Sequence, residues 1–174
     1  SPVFVKDFGP WKGIWYSLFH SISAFCNAGF DLMGVRGKFS SLTSYSSSVL
    51  VNVTIVVLIV VGGIGFLTWD DIRTNGIHLR KYRVQSKIIF TVTFILILLP
   101  FLFLFFHEFS DLPMKERVLL SLFQSVTPRT AGFNTADYSA MSESGEAMTV
   151  LLMLVGGSPG STAGGMKTTT IAVL

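Results

Sequence analysis

The chain contains few charged residues. Asp, Glu, Lys and Arg together make up 13% of the 174 residues, against about 25% in a typical soluble domain. None of them occurs between residues 49 and 67 or between residues 88 and 106, and a helix of about 20 apolar residues can cross a bilayer. A soluble protein with wholly buried helices would need more surrounding chain than this. The composition therefore predicts an all-α membrane protein with spans at Val49–Leu67 and Ile88–Phe106.

Groups suited to disulfides, metal binding and catalysis are also scarce. The single cysteine, Cys26, excludes an internal disulfide, and the histidines at positions 20, 78 and 107 are too scattered to suggest a metal site. No pairing of a nucleophile with a general base is evident. The sequence therefore predicts no cofactor. Its polar opening, SPVFVKDFGPWKG, is interpreted as an extracellular loop of a longer protein and not as a signal peptide.

Positive charges cluster between the two predicted spans. Basic side chains tend to stay on the cytoplasmic face, so this cluster predicts a cytoplasmic loop at residues 69–87. Aromatic residues do not alternate with the basic ones beyond Tyr82, so the pattern does not indicate nucleic-acid binding. A docking surface for a cytosolic partner is a further interpretation. The basic residues are Arg73, Arg80, Lys81, Arg83 and Lys87.

The chain contains an internal repeat. SLFHSISAFCNAGFD at residues 17–31 resembles SLFQSVTPRTAGFN at residues 121–134, and VVGGIGF at residues 60–66 corresponds to LVGGSPG at residues 154–160. Each unit is predicted to comprise a short apolar helix, an Ala-Gly-Phe turn, a polar linker and a long helix with a Gly-Gly pair. We therefore divide the chain into a first repeat at residues 1–68, the basic loop at residues 69–87, and a second repeat at residues 88–174.

The short apolar segments predict a pore. The segment at residues 118–128 is too short to cross a bilayer, so it must enter and return, and its non-helical backbone must face protein or water. Carbonyl oxygens arranged around such a path replace the hydration shell of a cation, as in the Thr-Val-Gly-Tyr-Gly filter of potassium channels, and the C-terminal end of a short helix favours cations. We expect potassium to contact the carbonyls of Asn27, Gly29, Thr130 and Gly132. The candidate filter residues are Asn27, Ala28, Gly29 and Phe30 in one copy and Thr130, Ala131, Gly132 and Phe133 in the other.

The glycine-rich stretch GGSPGSTAGGMKTTT at residues 156–170 has two interpretations. A phosphate-binding loop needs Gly-Lys-Ser/Thr at its end, but Met166 separates Gly165 from Lys167. On this alternative the protein is a nucleotide-binding enzyme that uses residues 160–168. On the other interpretation five glycines and Pro159 interrupt a membrane helix, because residues of these types cannot form a stable continuous helix. The loop that they form must then line a cavity.

The motifs SAFCNAGFD, SVTPRTAGFNT and GGSPGSTAGGMKTTT together resemble the membrane subunits of the Trk/Ktr/HKT potassium-transporter superfamily, most closely the bacterial Ktr type. The resemblance implies helix–pore loop–helix repeats, four around one pore, of which this chain resembles the second and third. It also implies that residues 156–165 form an intramembrane gating loop below the filter. That loop comprises Gly156, Gly157, Ser158, Pro159, Gly160, Ser161, Thr162, Ala163, Gly164 and Gly165.

The resemblance carries expectations for the whole protein as well. It implies potassium uptake across the plasma membrane, which is the inner membrane in bacteria, with sodium as a further activating ion. It implies a homodimer of membrane subunits in the lipid bilayer, bound to a cytosolic ring of nucleotide-binding regulators. It implies neither an enzyme nor a nucleic-acid partner.

Three polar residues beside the filter copies are predicted to support them. Arg129 is expected behind the filter, bonded to carbonyls or to a carboxylate such as Asp137, because a guanidinium facing the path would repel cations. Asp31 has two interpretations, and the sequence leaves both open. Its carboxylate attracts cations to the mouth of the pore, or it binds its own loop to the neighbouring repeat. Asn134 occupies the corresponding position of the second copy.

Overall fold

The computed structural model of the protein describes residues 1–37 and 40–173. Within them the regular structure is helical, with one isolated bridge between Val155 and Met166. Four short 3-10 turns and one π turn, Leu104–Glu108, join or extend the helices. The helices are α1 (Pro2–Phe8), α2 (Pro10–Phe25), α3 (Val49–Ile64), α4 (Phe66–Asn75), α5 (Val84–Phe103), α6 (Met114–Val126), α7 (Glu143–Leu154) and α8 (Thr168–Val173).

Helix α5 and its π turn form the longest helical segment. Together they cover Val84–Glu108, 25 residues with a mean hydropathy of 2.9 in their most apolar stretch, which is long and apolar enough to cross a membrane. The predicted span Ile88–Phe106 lies inside this segment. In the π turn the N–H of Phe109 donates to the carbonyl of Leu104 at 2.9 Å. This turn begins four residues after Pro100.

The other predicted span, Val49–Leu67, is not one continuous helix. Helix α3 ends at Ile64, and the chain bends by 93° before α4 begins at Phe66. Gly65 makes the bend with φ +93°, a conformation that side chains rarely permit. The N–H of Phe66 donates to the carbonyl of Gly160 at 3.0 Å. Hydropathy does not reveal this break, because the segment is apolar on both sides of it.

Two short helices pack against α3. Helix α6 has 13 residues and, at about 1.5 Å per residue, is shorter than the hydrocarbon core of a bilayer. Helices α2 and α6 both contact α3, and each ends in one of the Ala-Gly-Phe turns. The shared core includes Ala24, Ile55, Phe123 and Phe133. The two sequence repeats are therefore packed together at α2, α6 and the turns that follow these helices.

Candidate ion filter and intramembrane loop

The two Ala-Gly-Phe turns have the same backbone pattern. The φ angle is +51° at Asn27 and +70° at Gly29 in the first turn, and +73° at Thr130 and +80° at Gly132 in the second. Both glycines have a left-handed backbone, and the same conformation occurs two residues earlier in each turn. A positive φ is a clear outlier for β-branched Thr130. Such conformations persist only where the surrounding structure holds them, and they cluster at functional sites.

The two turns face each other at their glycines. A Cβ on Gly29 would lie 2.2 Å from the carbonyl oxygen of Ala131 and 3.1 Å from the Cα of Gly132. A Cβ on Gly132 would lie 3.6 Å from the Cα of Gly29. Only glycine at position 29 therefore allows this approach of the two backbones.

A group of carbonyl oxygens in the two turns has no donor. Across residues 1–37 and 40–173, no N–H or O–H donates to the carbonyls of Asn27, Ala28, Gly29, Thr130, Ala131 or Gly132. Backbone carbonyls normally have a partner, which is protein, water or a bound ion. Since these six lie in equivalent positions of two adjoining turns, they can contact a cation in place of its hydration shell.

The next carbonyl in each turn is held by a hydroxyl group. The hydroxyl of Ser23 in α2 donates to the carbonyl of Phe30 at 2.8 Å, and that of Thr127 donates to the carbonyl of Phe133 at 2.6 Å. Ser23 and Thr127 are equivalent in the repeat, so the contact is duplicated. Neither residue was predicted from the sequence, although polar side chains at matched positions of two apolar helices were a usable signal.

His20 and Gln124 form a second matched pair behind the turns. His20 Nδ1 lies 2.6 Å from the carbonyl oxygen of Tyr16 and Nε2 accepts from the N–H of Leu32, so the ring is neutral. Gln124 Nε2 donates to Asn134 Oδ1 at 3.0 Å, and its Oε1 accepts from the hydroxyl of Tyr138. Both side chains are buried and link their short helix to the chain that follows the turn.

Asp31 and Asn134 have different surroundings. Asp31 Oδ1 accepts from the N–H of Met33 two residues later, a local contact that supports neither role considered for it. Asn134 connects the repeats, because its N–H donates to Ser41 Oγ and its carbonyl accepts from the N–H of Leu42. The link to the neighbouring repeat that was considered for Asp31 is thus made by Asn134, its counterpart in the second copy.

The glycine-rich loop leaves α7 and returns to α8 at nearly the same place. The N–H of Gly156 donates to the carbonyl of Met166 at 2.9 Å, and the N–H of Met166 donates to the carbonyl of Leu154 at 3.3 Å. A Cβ on Gly156 would lie 1.7 Å from the carbonyl oxygen of Gly164. The ends of the loop are therefore closed by backbone contacts that require glycine.

The body of the loop fills the bend between α3 and α4. The N–H of Ser158 donates to the carbonyl of Gly63 at 2.9 Å, and the N–H of Thr162 donates to that of Gly62 at 3.3 Å. Ser158 is fully buried and its Oγ accepts from the hydroxyl of Thr168. Gly62 and Gly63, the Gly-Gly pair of the first repeat, thus accept hydrogen bonds from the loop that begins at Gly156 and Gly157, the Gly-Gly pair of the second repeat.

Side chains also join the loop to both turns. Thr162 Oγ1 donates to the carbonyl of Phe25 at 2.8 Å and accepts from Asn27 Nδ2 at 3.0 Å. Arg129 Nη2 donates to the carbonyl of Gly156 at 3.3 Å, so Arg129 has one of the two partner types predicted for it, a carbonyl. Lys167 Nζ donates to the carbonyl of Ala163 at 2.7 Å.

The loop lacks the context of a phosphate-binding loop. Such a loop follows a strand and opens a helix whose lysine reaches the phosphates. Here helix α7, and not a strand, precedes the loop, and Lys167 is bonded to the loop's own carbonyl.

Nearly the whole chain matches one protein family. Residues 8–174 match the family TrkH, described as cation transport protein. The chain belongs to this family. The match gives no support to the enzyme alternative, and it confirms the resemblance drawn from the motifs. The TrkH-family chain is therefore part of a membrane protein.

Several relatives are named as uptake proteins. The chain is 42% identical over 179 residues to the potassium/sodium uptake protein NtpJ of Enterococcus hirae, a match that covers 100% of this chain and 38% of the relative. It is 38% identical over 176 residues to the Ktr system potassium uptake protein B of Bacillus subtilis, covering 98% of this chain and 38% of the relative. The chain thus spans less than half the length of these relatives.

A solved structure shares the fold. The crystal structure of the potassium transporter TrkH from Vibrio parahaemolyticus superposes with a TM-score of 0.71 at 25% identity, and the match covers 88% of this chain and 32% of that one. The helical architecture predicted from the sequence is confirmed by this likeness.

Proposed function

We propose that this TrkH-family chain is part of a plasma-membrane potassium uptake protein, in which residues 27–30 and 130–133 line one cation path. The observation that carries the proposal is the set of six carbonyls in two matched turns to which no described residue donates. Potassium is the expected ion because carbonyl groups replace its hydration shell at a small energetic cost. The names of the relatives support potassium, and that of the Enterococcus hirae relative supports including sodium.

The path needs more chain than these two repeats. Phe133 is buried and its ring lies 6.3 Å from that of His20 in the first repeat, whereas Phe30, its counterpart, is 70% exposed. By the symmetry of the repeat, Phe30 would pack against a corresponding side chain of a preceding repeat. This difference supports a further repeat beside residues 1–68, in agreement with the ring of four that the resemblance implies and of which residues 1–68 and 88–174 would supply two.

The loop at residues 156–165 is proposed as the gate. It lies at the end of the turns where Phe25, Asn27 and Arg129 are found, and it continues into the bend of α3 and α4. A polypeptide loop at that end of a carbonyl-lined path would obstruct the ion. We also propose a homodimer of membrane subunits, with a cytosolic nucleotide-binding ring docked near the basic residues of the segment 69–87.

The test uses rubidium uptake into liposomes that contain the full-length protein. Replacing Gly29 or Gly132 with Ser places a side chain at a positive φ, and at Gly29 also against the backbone of the other turn. We expect the preference for potassium over sodium to fall about tenfold or more, which corresponds to about 1.4 kcal/mol. Gly34→Ser is the matched control, because a Cβ there meets open space. Unchanged preference in both glycine variants would exclude the filter.

A further inference from the structure

We infer that the intramembrane loop is fastened to both filter turns by side-chain hydrogen bonds, so that displacing the loop alters selectivity as well as opening the path. This inference rests on the proposed function and assigns positioning roles to Thr162, Asn27 and Arg129. A loop that acted only as a plug would need no bond to the filter. The structure has one fastening for each turn.

The first fastening joins Thr162 to the turn at residues 27–30. The Thr162 hydroxyl uses both of its capacities, donating to the carbonyl of Phe25 at 2.8 Å and accepting from Asn27 Nδ2 at 3.0 Å. Asn27 Nδ2 also lies 3.3 Å from the carbonyl oxygen of Ile59 in α3. Asn27 has a left-handed backbone, with φ +51°. A change in the position of its side-chain amide therefore also changes the backbone conformation of the turn. Loss of the Thr162 hydroxyl leaves a buried amide with fewer partners at the base of the turn.

The second fastening joins the loop to the turn at residues 130–133. Arg129 immediately precedes Thr130 and donates from Nη2 to the carbonyl of Gly156 at 3.3 Å. It is 8% exposed, so its charge depends on such partners. The far end of the loop touches the same turn, because a Cβ on Gly165 would lie 3.2 Å from Thr130 Cγ2. The strained backbone of Thr130 is thus held by both ends of the loop.

A small cavity lies where these contacts meet. It has a volume of about 20 Å³ and is lined by residues that include Asn27, Gly63, Arg129, Gly157 and Ala163. That is room for about one water molecule, and Arg129 Nε has no partner among the described residues. The loop, α3 and both turns therefore meet around Arg129 without complete packing. A shift of the loop displaces both turns, because side-chain hydrogen bonds join the loop to each of them.

The experiment compares three variants of the full-length protein in liposomes with its cytosolic regulator. Thr162→Val removes the hydroxyl and keeps the shape, Thr162→Ser keeps the hydroxyl, and Thr170→Val makes the same chemical change at an exposed position of α8. For Thr162→Val we expect rubidium flux without the activating ligand to rise about tenfold, together with a fall of about threefold or more in the preference for potassium over sodium. Thr162→Ser and Thr170→Val should match the parent in both measurements.

The second fastening is tested independently with Arg129→Met, which keeps the aliphatic stem, and Arg129→Lys, which retains a donor. Arg129→Met should raise flux and lower selectivity, and Arg129→Lys should restore both in part. Higher flux with unchanged selectivity in Thr162→Val and Arg129→Met would overturn the inference and leave the filter and the gate in place. The filter itself fails only if the Gly29 and Gly132 variants keep the parent's selectivity, so the two failures are distinguishable.

Discussion

Gly62 of α3 lies against the carbonyl oxygen of Phe25 at the end of α2, so that a Cβ on Gly62 would be 1.9 Å from that oxygen. This contact brings α3 to the base of the turn at residues 27–30. We predict that Gly62→Ala destabilises the protein by about 1–3 kcal/mol, because the clash is with backbone and no side chain can move to relieve it. Thermal unfolding in detergent and rubidium uptake measure the effect.

Gly63→Ala is the control for that variant. A Cβ on Gly63 meets nothing within 4 Å, and alanine in a helix is more stable than glycine by about 0.5–1 kcal/mol. Gly63→Ala should therefore unfold at the same temperature as the parent or slightly higher. Equal destabilisation by both substitutions would show that the close contact of Gly62 with Phe25 is not the cause of the lost stability.

A second prediction concerns the hydroxyl of Thr127, which donates to the carbonyl of Phe133. Thr127→Val keeps the shape of this buried side chain and removes the donor, so we expect a loss of about 1 kcal/mol. Since the Phe133 carbonyl directly follows the carbonyls proposed to contact potassium, potassium affinity measured by uptake should also weaken. The matched control is Thr149→Val, whose hydroxyl donates to the carbonyl of Gly145 within α7. A Thr127 variant with the parent's affinity would contradict a supporting role.

A third prediction concerns pH. The hydroxyl of Tyr45 donates to Asp7 Oδ2 at 2.7 Å and Arg36 forms an ion pair with it, and together they lower the pKa of the Asp7 carboxyl below its usual value. A lowered pKa means that the contribution to stability is present above the unfolded value of about 4 and is lost as the pH falls through the folded value. Asp7→Asn should therefore melt below the parent at pH 7, and the difference should begin to shrink near pH 4 and vanish only below the lowered folded pKa. A constant difference across that range would exclude titration of Asp7 as the cause.

The sequence predicted the parts of this structure that depend on local composition and on repetition. The apolar segment 88–106 lies within α5 and its π turn, and the left-handed glycines fall where the two Ala-Gly-Phe turns were aligned. The break of α3 at Gly65 was missed because its cause is a contact with Gly160, distant in sequence. The positive φ of Thr130 was missed for a similar reason. Threonine disfavours that conformation, which is held here by residues from other parts of the chain.

A fourth prediction concerns orientation. The basic segment predicts that Ile77, which is 92% exposed, lies on the cytoplasmic side, and that exposed Ser110 after α5 lies outside. In a Cys26→Ser background, which removes the single exposed thiol, Ile77→Cys should react with membrane-impermeant reagents only from the cytoplasmic side, and Ser110→Cys only from outside. The opposite labelling would place the filter turns at the cytoplasmic face.

The last prediction removes the body of the intramembrane loop. A Cβ on Gly157 would lie 2.6 Å from the Cβ of Ala163, so deletion of residues 158–162 leaves two ends that can be joined with little movement. The closing contacts between Gly156 and Met166 are retained. Each 1.4 kcal/mol removed from the closed state raises the open-to-closed ratio about tenfold. Rubidium flux should therefore rise and depend less on the cytosolic regulator.

The same deletion separates the two roles assigned to the loop. If the loop is only an obstruction, the deletion variant keeps the parent's preference for potassium over sodium. If Thr162 also positions the first filter turn, that preference falls by at least as much as in Thr162→Val, because the deletion removes the same hydroxyl together with the backbone that carries it. A single symmetrical peak in gel filtration of the purified protein verifies that the variant is folded before uptake is measured. A folded deletion variant that keeps the parent's preference for potassium and yet conducts less than its parent would exclude the gating role, because removing an obstruction cannot lower the flux through an intact path.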